Sequence, residues 1–154
     1  MTTPIDNPNL HAQWPRHSIP LSVSSIYVDD EMVLATWEGA MSYINHLAGC
    51  QVFEEPLDLA KADVYLYQRD ECSHAMAWWR TEGKLITRAS VAIPGPQCGN
   101  PNMGYAVHEL LHAIGFAHDD DPGSLMNPYY HRDSAVTRED IELLQALYCD
   151  DCYN

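Results

Sequence analysis

The eleven-residue segment HELLHAIGFAH, which begins at His108, constrains this chain more than any other part of its sequence. On an α-helix, residues four positions apart lie on one face, so His108 and His112 project side by side, as two ligands of one metal ion require. Glu109 lies one step round the helix and can reach a water molecule beside the metal without being a ligand. Gly115 can end the helix in a left-handed conformation, and the following turn can bring His118 back as a third ligand.

Three neutral imidazoles with one open coordination position describe a catalytic zinc site, because structural zinc sites are normally closed by four protein ligands. Zinc lowers the pKa of a bound water molecule to about 7, so that Glu109 can accept its proton and pass it to a leaving amine. The alternative is a solvated helix face, the usual explanation of an isolated His-x-x-x-His pair. Because all five residues satisfy one geometric scheme, the sequence predicts a single catalytic zinc ion held by His108, His112 and His118, with Glu109 as general base.

The charge balance narrows the classes of partner. Lys and Arg number 8 against 22 Asp and Glu, which gives a formal net charge of −14. Nucleic acid needs a basic surface, and anionic lipid is disfavoured for the same reason, so we predict neither as a partner. The sequence contains no apolar run of the roughly 18 residues that a membrane helix requires. With 46% hydrophobic residues in 154, the composition favours one folded domain, and we expect a monomer.

Neither the start of the chain nor its number of cysteines identifies the cellular compartment of the protein. MTTPIDNPNL lacks the basic and apolar regions of a secretory signal, so the chain stays where it is made, leaves by another route, or has lost a signal. Five cysteines are an odd number, so at least one lacks an intramolecular partner. We expect the CDDC pair (149–152) to form a local disulfide or two free thiols. Cys98 is expected to pair with Cys72 or to remain free.

The spacing of apolar residues predicts the order β-α-β-β-β-α-loop-α, which is typical of an α+β domain with one sheet. Residues 1–17 are rich in Pro and Asn and predict an irregular N-terminal arm, and residues 18–154 a single catalytic domain. The predicted strands are 18–28, 62–68, 74–80 and 84–93. The predicted helices are one from the cap Asp29 or Asp30 to Gly49, the helix of the histidine motif, and one at 136–149 capped by Thr137.

Two segments together resemble a known family. The string His-Glu-x-x-His-x-x-Gly-x-x-His is the signature of the metzincin metallopeptidases. Downstream, GSLMNPYY (123–130) resembles their Met-turn, with Met126 eight residues after His118. This spacing and the Met-x-Pro-x-Tyr pattern are most similar to the matrixin branch, as is the final segment VTREDIELLQALY. The segments ADVYLYQ and GKLITRASVAI add weaker support, so the resemblance covers about residues 18–148.

The resemblance implies a minimal metzincin fold with one twisted mixed sheet, a long helix, an active-site helix and a C-terminal helix. It also implies that Met126 forms a hydrophobic floor under the zinc and that Pro128 and Tyr130 line the primed-side specificity pocket. The strand HAMAWWR would be the sheet edge that pairs with an extended peptide. The implied activity is zinc-dependent hydrolysis of peptide bonds within polypeptides. The alternatives are a processing protease or toxin with one target, and a zinc-stabilised binding module, which would have no need of Glu109.

The sequence departs from the family pattern in several places. Asp119 follows the third histidine where matrixins usually have serine and the adamalysin branch has aspartate, so the subfamily stays open. Residues 69–82 leave little room for a second, structural zinc. The acidic segment HDDDPGS (118–124) could bind calcium, but we favour a solvated turn. The loop PQCGNPN (96–102) resembles the cysteine switch of matrixin propeptides, but we favour a turn-rich loop. The histidines outside the motif have no ligand spacing, and we expect them at the surface or in the core.

Overall fold

In the computed structural model, which describes residues 7–149, four strands form one sheet and three α-helices accompany it. The strands are β1 (Val23–Tyr27), β2 (Val64–Arg69), β3 (Met76–Glu82) and β4 (Leu85–Pro94). The helices are α1 (Glu31–Ala48), α2 (Met103–Ala113) and α3 (Arg138–Tyr148). This is the predicted element order, and the predicted α+β class is confirmed. None of the helices in this part of the chain is both long and apolar enough to cross a membrane.

The sheet has the strand order β1-β2-β4-β3 and is mixed. β1, β2 and β4 are parallel, whereas β3 pairs antiparallel with β4 through a tight turn in which Gly83 has a φ of 62°. β3 therefore lies at one edge, as expected for the strand HAMAWWR. Within residues 7–149 no further strand pairs with its outer edge, which is the kind of edge that another extended chain can join.

The long helix α1 begins and ends where its sequence predicts. The side chain of Asp30 accepts hydrogen bonds from the backbone N–H groups of Met32 and Val33, both at 3.0 Å, which is an N-cap. Gly49 follows the last turn with a φ of 79°, and its N–H donates to the carbonyl of Asn45 at 3.0 Å. One face of the helix is buried against the rest of the core through Val33, Trp37, Ala40, Met41, Ile44 and Ala48.

Two disulfides join elements that are distant in sequence. Cys72 bonds to Cys98, which is one of the two alternatives left open for Cys98, and the bond ties the β2–β3 loop to the loop before α2. Cys50 bonds to Cys149 across 99 residues. The expectation of a local disulfide or free thiols in CDDC is thus wrong for Cys149, because the C-terminal ends of α1 and α3 lie together. Cys152 lies outside the described residues.

The segment before β1 runs along the body of the domain. Residues 7–15 are irregular, but Gln13 is 1% exposed. The Gln13 N–H donates to the carbonyl of Lys84 at 3.0 Å, and the Ile86 N–H donates to the carbonyl of Gln13 at 2.7 Å. The segment therefore lies beside the start of β4. The boundary between an arm and a domain at residue 18 stays a prediction.

Candidate metal centre

Helix α2 carries the first part of the histidine motif. The side chain of Asn102 caps its N-terminus by accepting a hydrogen bond from the Tyr105 N–H at 3.1 Å. Its apolar residues are buried, so the helix cannot rotate without exposing them, and this sets the direction of the polar side chains. After the helix, Gly115 turns the chain with a φ of 116°, a conformation that favours glycine. The buried apolar residues are Ala106, Val107, Leu110, Leu111 and Ala113.

The three histidines of the motif converge on one point. The Nε2 atom of His112 lies 3.1 Å from Nε2 of His108 and 3.1 Å from Nε2 of His118. One nitrogen from each of the three rings lies within 4.8 Å of the others, a group that could hold a metal ion. The structure thus brings together the three side chains that the spacing predicts to meet.

The opposite ring nitrogens reveal the tautomers. The Nδ1 atom of His108 lies 2.7 Å from the carbonyl oxygen of Leu125, and Nδ1 of His112 lies 2.7 Å from that of Phe116. A carbonyl can only accept a hydrogen bond, so each Nδ1 carries the proton and each Nε2 keeps a lone pair. Lone pairs that converge in this way repel one another unless a cation lies between them. The donor set therefore fits a zinc ion with neutral imidazole ligands.

The electrostatics of the site favour neutral imidazoles. Burial, and then the charge of His108, lower the pKa of His112 to about 3. Burial likewise lowers the pKa of His108, which is 4% exposed. A neutral imidazole is the form that binds a metal ion, so these two rings need not lose a proton first.

Glu109 is a buried carboxyl group beside the histidines. It is 7% exposed, and burial raises its pKa to about 7. A carboxylate with a raised pKa is a stronger base than an exposed one, which suits proton transfer near neutral pH. The side chain lines the same cleft as the three histidine rings.

The segment after His118 forms a tight turn under the site. Met126 is fully buried, and its N–H donates to the Ser124 hydroxyl at 3.0 Å. That hydroxyl donates to Asp119 at 2.8 Å, and the Asp119 N–H donates to the carbonyl of Met126 at 3.1 Å. These bonds explain why an aspartate is accommodated after the third histidine. The role of Met126 as a floor for zinc stays a prediction, as does calcium binding by the acidic turn.

An open cleft of about 710 Å³ lies in front of the histidines. Pro128 and Tyr130 line it, as the resemblance implies. The Tyr130 ring stacks on the ring of His108, with centroids 4.4 Å apart, and meets the ring of Tyr105 edge-on at 5.8 Å. The opposite wall is formed by β3 and the residues before it: Ser73, His74, Ala75, Met76, Ala77 and Trp79. The cleft is thus bounded by an edge strand on one side and the Tyr130 segment on the other.

Sequence reasoning missed His11, which also lines this cleft. Its Nε2 donates to the backbone carbonyl of His112 at 2.8 Å, and its ring stacks on Trp79 with centroids 3.9 Å apart. Burial lowers the pKa of His11. No spacing signal could have identified this residue, because 101 positions separate His11 from His112.

The backbone of His11 and the side chain of Trp14 hold the turn between the second and third histidines. The His11 N–H donates to the carbonyl of Gly115 at 2.8 Å, and the Trp14 indole N–H donates to that of Ala113 at 2.9 Å. A Cβ atom at Gly115 would collide with the carbonyl of Ala12. Gly115 is therefore needed both for its positive φ and for the close approach of the residue 9–14 segment.

The chain is similar in sequence to known proteins. A sequence model of the family described as Matrixin matches residues 52–149. Over 88 residues the chain is 40% identical to the 72 kDa type IV collagenase of Gallus gallus. That alignment covers 51% of this chain and 13% of the collagenase, so the chain spans only a small part of this relative's length.

Proposed function

Because this chain belongs to the matrixin family, and matrixins are zinc metallopeptidases, we propose that it is a zinc-dependent endopeptidase acting on extended polypeptides. The observation that carries the proposal is the convergence of three imidazole nitrogens in an open cleft beside a buried carboxyl group. A structural zinc site would be closed by a fourth protein ligand, whereas this group has three among residues 7–149. The open side faces the cleft in which a substrate would lie.

His108, His112 and His118 would hold the zinc through their Nε2 atoms. When bound, zinc supplies Lewis-acid chemistry, which polarises a carbonyl group and makes water more acidic. Backbone carbonyls that accept from Nδ1 of His108 and His112 hold these two rings in the orientation that binding requires. No rearrangement of these two side chains is needed for the zinc ion to bind.

Glu109 would act as the general base and then as the general acid. Among the described residues that line the cleft, it is the one carboxylate. Its carboxylate would accept a proton from the attacking water molecule and donate that proton to the amine as the peptide bond breaks. Burial raises the pKa of this group to about 7, which suits a carboxyl group that accepts and then donates a proton near neutral pH.

The walls of the cleft would orient the substrate. The free edge of β3 can add an extended peptide as another strand by backbone hydrogen bonds. Pro128 and Tyr130, with Tyr105 behind Tyr130, would receive the side chain that follows the scissile bond. A strand that is held at one wall and anchored by a side chain at the other has its scissile bond above the histidines.

Peptide-library cleavage with a matched pair of variants tests the proposal. The zinc-loaded protein should cleave library peptides, and a chelator should abolish cleavage until zinc is restored. Glu109→Ala should keep its zinc and fold but lose activity by about 10²–10⁴-fold, the usual contribution of a general base. Glu38→Ala, which removes an exposed glutamate on α1, should cleave like the parent.

The outcomes separate the alternatives. Cleavage at many sites indicates a general endopeptidase, and cleavage of a single sequence indicates a processing protease or toxin with one target. A protein that binds zinc but cleaves nothing would be a zinc-stabilised binding module. If Glu109→Ala were as active as Glu38→Ala, the proposed role of Glu109 would be wrong.

A further inference from the structure

Aromatic side chains form a continuous stripe across the sheet on the face opposite the core. Tyr67 alternates along β2 with the buried Val64 and Leu66, so its ring lies on the outer face. It stacks on Tyr27 of β1, with centroids 4.7 Å apart and planes within 3°, and lies 5.8 Å from the ring of Trp78 on β3. Tyr27 is 50% exposed and Trp78 is 46% exposed. A contiguous patch of exposed aromatic side chains marks an interaction site more often than a single exposed side chain does.

Two arginines on the same face have no acidic partner in the part of the chain that the structure describes. Arg80 of β3 is directly opposite Arg88 of β4, and the Arg88 guanidinium lies 4.7 Å from the centre of the Tyr65 ring. Neither guanidinium forms an ion pair with any residue from 7 to 149. Like charges directly opposite each other destabilise a sheet, and this chain carries 22 acidic residues that could have paired with them. An anionic ligand would remove this repulsion.

The stripe and the arginines form one surface, the aromatic–arginine face, made of Tyr27, Tyr65, Tyr67, Trp78, Arg80 and Arg88. A shallow concavity of about 240 Å³ lies in it, between Tyr67 and Trp78 on one side and the two arginines on the other. The face adjoins the cleft across one strand. Trp78 points to the outer face, whereas the next residue, Trp79, stacks on His11 at the cleft.

The charge of the whole molecule limits the kind of anion that fits. A net charge of −14 repels polyanions such as nucleic acids and highly charged polysaccharides at long range. A short segment with one or two carboxylates feels less of this repulsion and can pair with two adjacent guanidinium groups. Aromatic or proline side chains of the same segment would pack on Trp78 and Tyr67.

We propose that the aromatic–arginine face is a second substrate-binding site, which holds an acidic and aromatic or proline-containing segment of the polypeptide whose scissile bond lies in the cleft. The proposal rests on the proposed peptidase function and specifies its substrates. A chain paired with the edge of β3 needs only to pass round that edge to reach the outer face. The segment would increase substrate affinity and leave the chemical step unchanged.

Matched peptide substrates test this site. A sequence that the parent cleaves is extended at either end, through a flexible Gly-Ser linker, with Glu-Pro-Trp-Glu or with the neutral Gln-Pro-Trp-Gln. For one of the two ends, the parent should cleave the acidic-tailed peptide with a kcat/KM about three- to tenfold higher than that of the neutral-tailed peptide. The difference should arise from a lower KM. Arg80→Gln/Arg88→Gln should lose this preference and cleave the untailed peptide normally. Lys61→Gln/Arg138→Gln, which makes the same charge change at exposed positions elsewhere, should retain it.

A binding measurement keeps this test separate from the peptidase proposal. The isolated acidic tail, labelled with a fluorophore, should bind Glu109→Ala as well as the parent and should bind Arg80→Gln/Arg88→Gln more weakly. If no peptide is cleaved but the tail still binds in this pattern, the peptidase proposal fails and the binding site stands. The second site would be overturned if the acidic and the neutral tail bound equally well, or if the two double variants lost the same amount of tail affinity. It would also be overturned if a polyanionic polysaccharide, polygalacturonate, bound this face in place of the tail.

Discussion

At the scale of single residues, hydrogen bonds at the far side of two histidine rings set how the candidate metal ligands are oriented. Nδ1 of His108 and Nδ1 of His112 each donate to a backbone carbonyl at 2.7 Å. These bonds set the tautomer and hold the ring planes, so both Nε2 lone pairs are aimed before any ion is present. His118 is exposed by comparison, and its position depends on the backbone turn that carries it.

Replacement of one histidine tests the ligand assignment. His112→Ala removes the ring whose Nε2 is 3.1 Å from both other Nε2 atoms. Since loss of an outer-sphere partner alone weakens metal binding about 10–100-fold, loss of this ring should weaken zinc binding more than 100-fold. Zinc content after dialysis measures this, with the exposed His46→Ala as control. Full zinc occupancy in His112→Ala would show that the ligands are wrongly assigned.

The residues around the cleft also predict a preference for apolar side chains at the substrate position that follows the scissile bond. The rings of Tyr130 and Tyr105 and the Pro128 side chain offer an apolar wall. Burial of an apolar side chain there contributes about 1.5–3 kcal/mol, which corresponds to roughly ten- to hundredfold selectivity. Sequencing of cleavage products from a peptide library measures the preference. A consistent preference for acidic residues or glycine at that position would contradict the predicted pocket.

At the scale of elements, helix α2, which carries His108 and His112, ends against the N-terminal segment. The carbonyls of His112, Ala113 and Gly115 accept hydrogen bonds from His11 Nε2, the Trp14 indole and the His11 N–H respectively. The last carbonyls of a helix lack partners within it, so these bonds stabilise both the helix end and the turn that follows. The residue 9–14 segment thus supports the turn that leads to His118.

We therefore expect His11 to act as a positioning residue for the metal site. His11→Ala should bind zinc about 10–100-fold more weakly in competition with a chelator, as loss of other supporting contacts at metal sites does. His11→Gln keeps a donor for the carbonyl of His112 and should restore part of the loss. His17→Ala changes an exposed histidine of the same segment and serves as the control. A stability loss in His11→Ala with unchanged zinc affinity would indicate a purely structural role.

At the scale of the whole molecule, long-range bonds close the domain. The Cys50–Cys149 disulfide joins the ends of α1 and α3, and the Tyr148 hydroxyl donates to the carbonyl of Ile114 beyond α2. α3 also contributes Asp140, which is 1% exposed and faces Asp119. Burial, and then the charge of Asp119, raise the pKa of Asp140 to about 6, with a smaller contribution from Glu139.

This carboxyl group predicts how stability changes with pH. The folded protein keeps a proton on Asp140 that the unfolded chain releases near pH 4, so the group destabilises the fold as the pH rises from about 4 to about 6. Asp140→Asn cannot ionise and should gain up to about 2–3 kcal/mol relative to the parent across that range. Urea unfolding of both proteins at pH 4 and pH 7 measures the difference. A constant difference at the two pH values would contradict the raised pKa.

The sequence alone determined the features that depend on local geometry. Helical periodicity places His108 and His112 on one face, and the caps Asp30 and Thr137 lie within a few residues of the N–H groups they bind. The Gly115 turn that returns His118 is local as well. Such patterns can be read directly, because the bonds involved span one or two helical turns.

Only the tertiary structure decided the contacts between distant segments. His11 meets His112 across 101 positions, and Cys149 bonds to Cys50 and not to its near neighbour. The aromatic–arginine face exists because β4 lies between β2 and β3 in the strand order, which brings Tyr67, Arg88 and Trp78 together. Periodicity within one segment says which side of a strand a residue occupies, but not which strand lies beside it. Long-range packing determines which strands are neighbours. It therefore also determined which residues support the candidate metal site and which residues form the aromatic–arginine face.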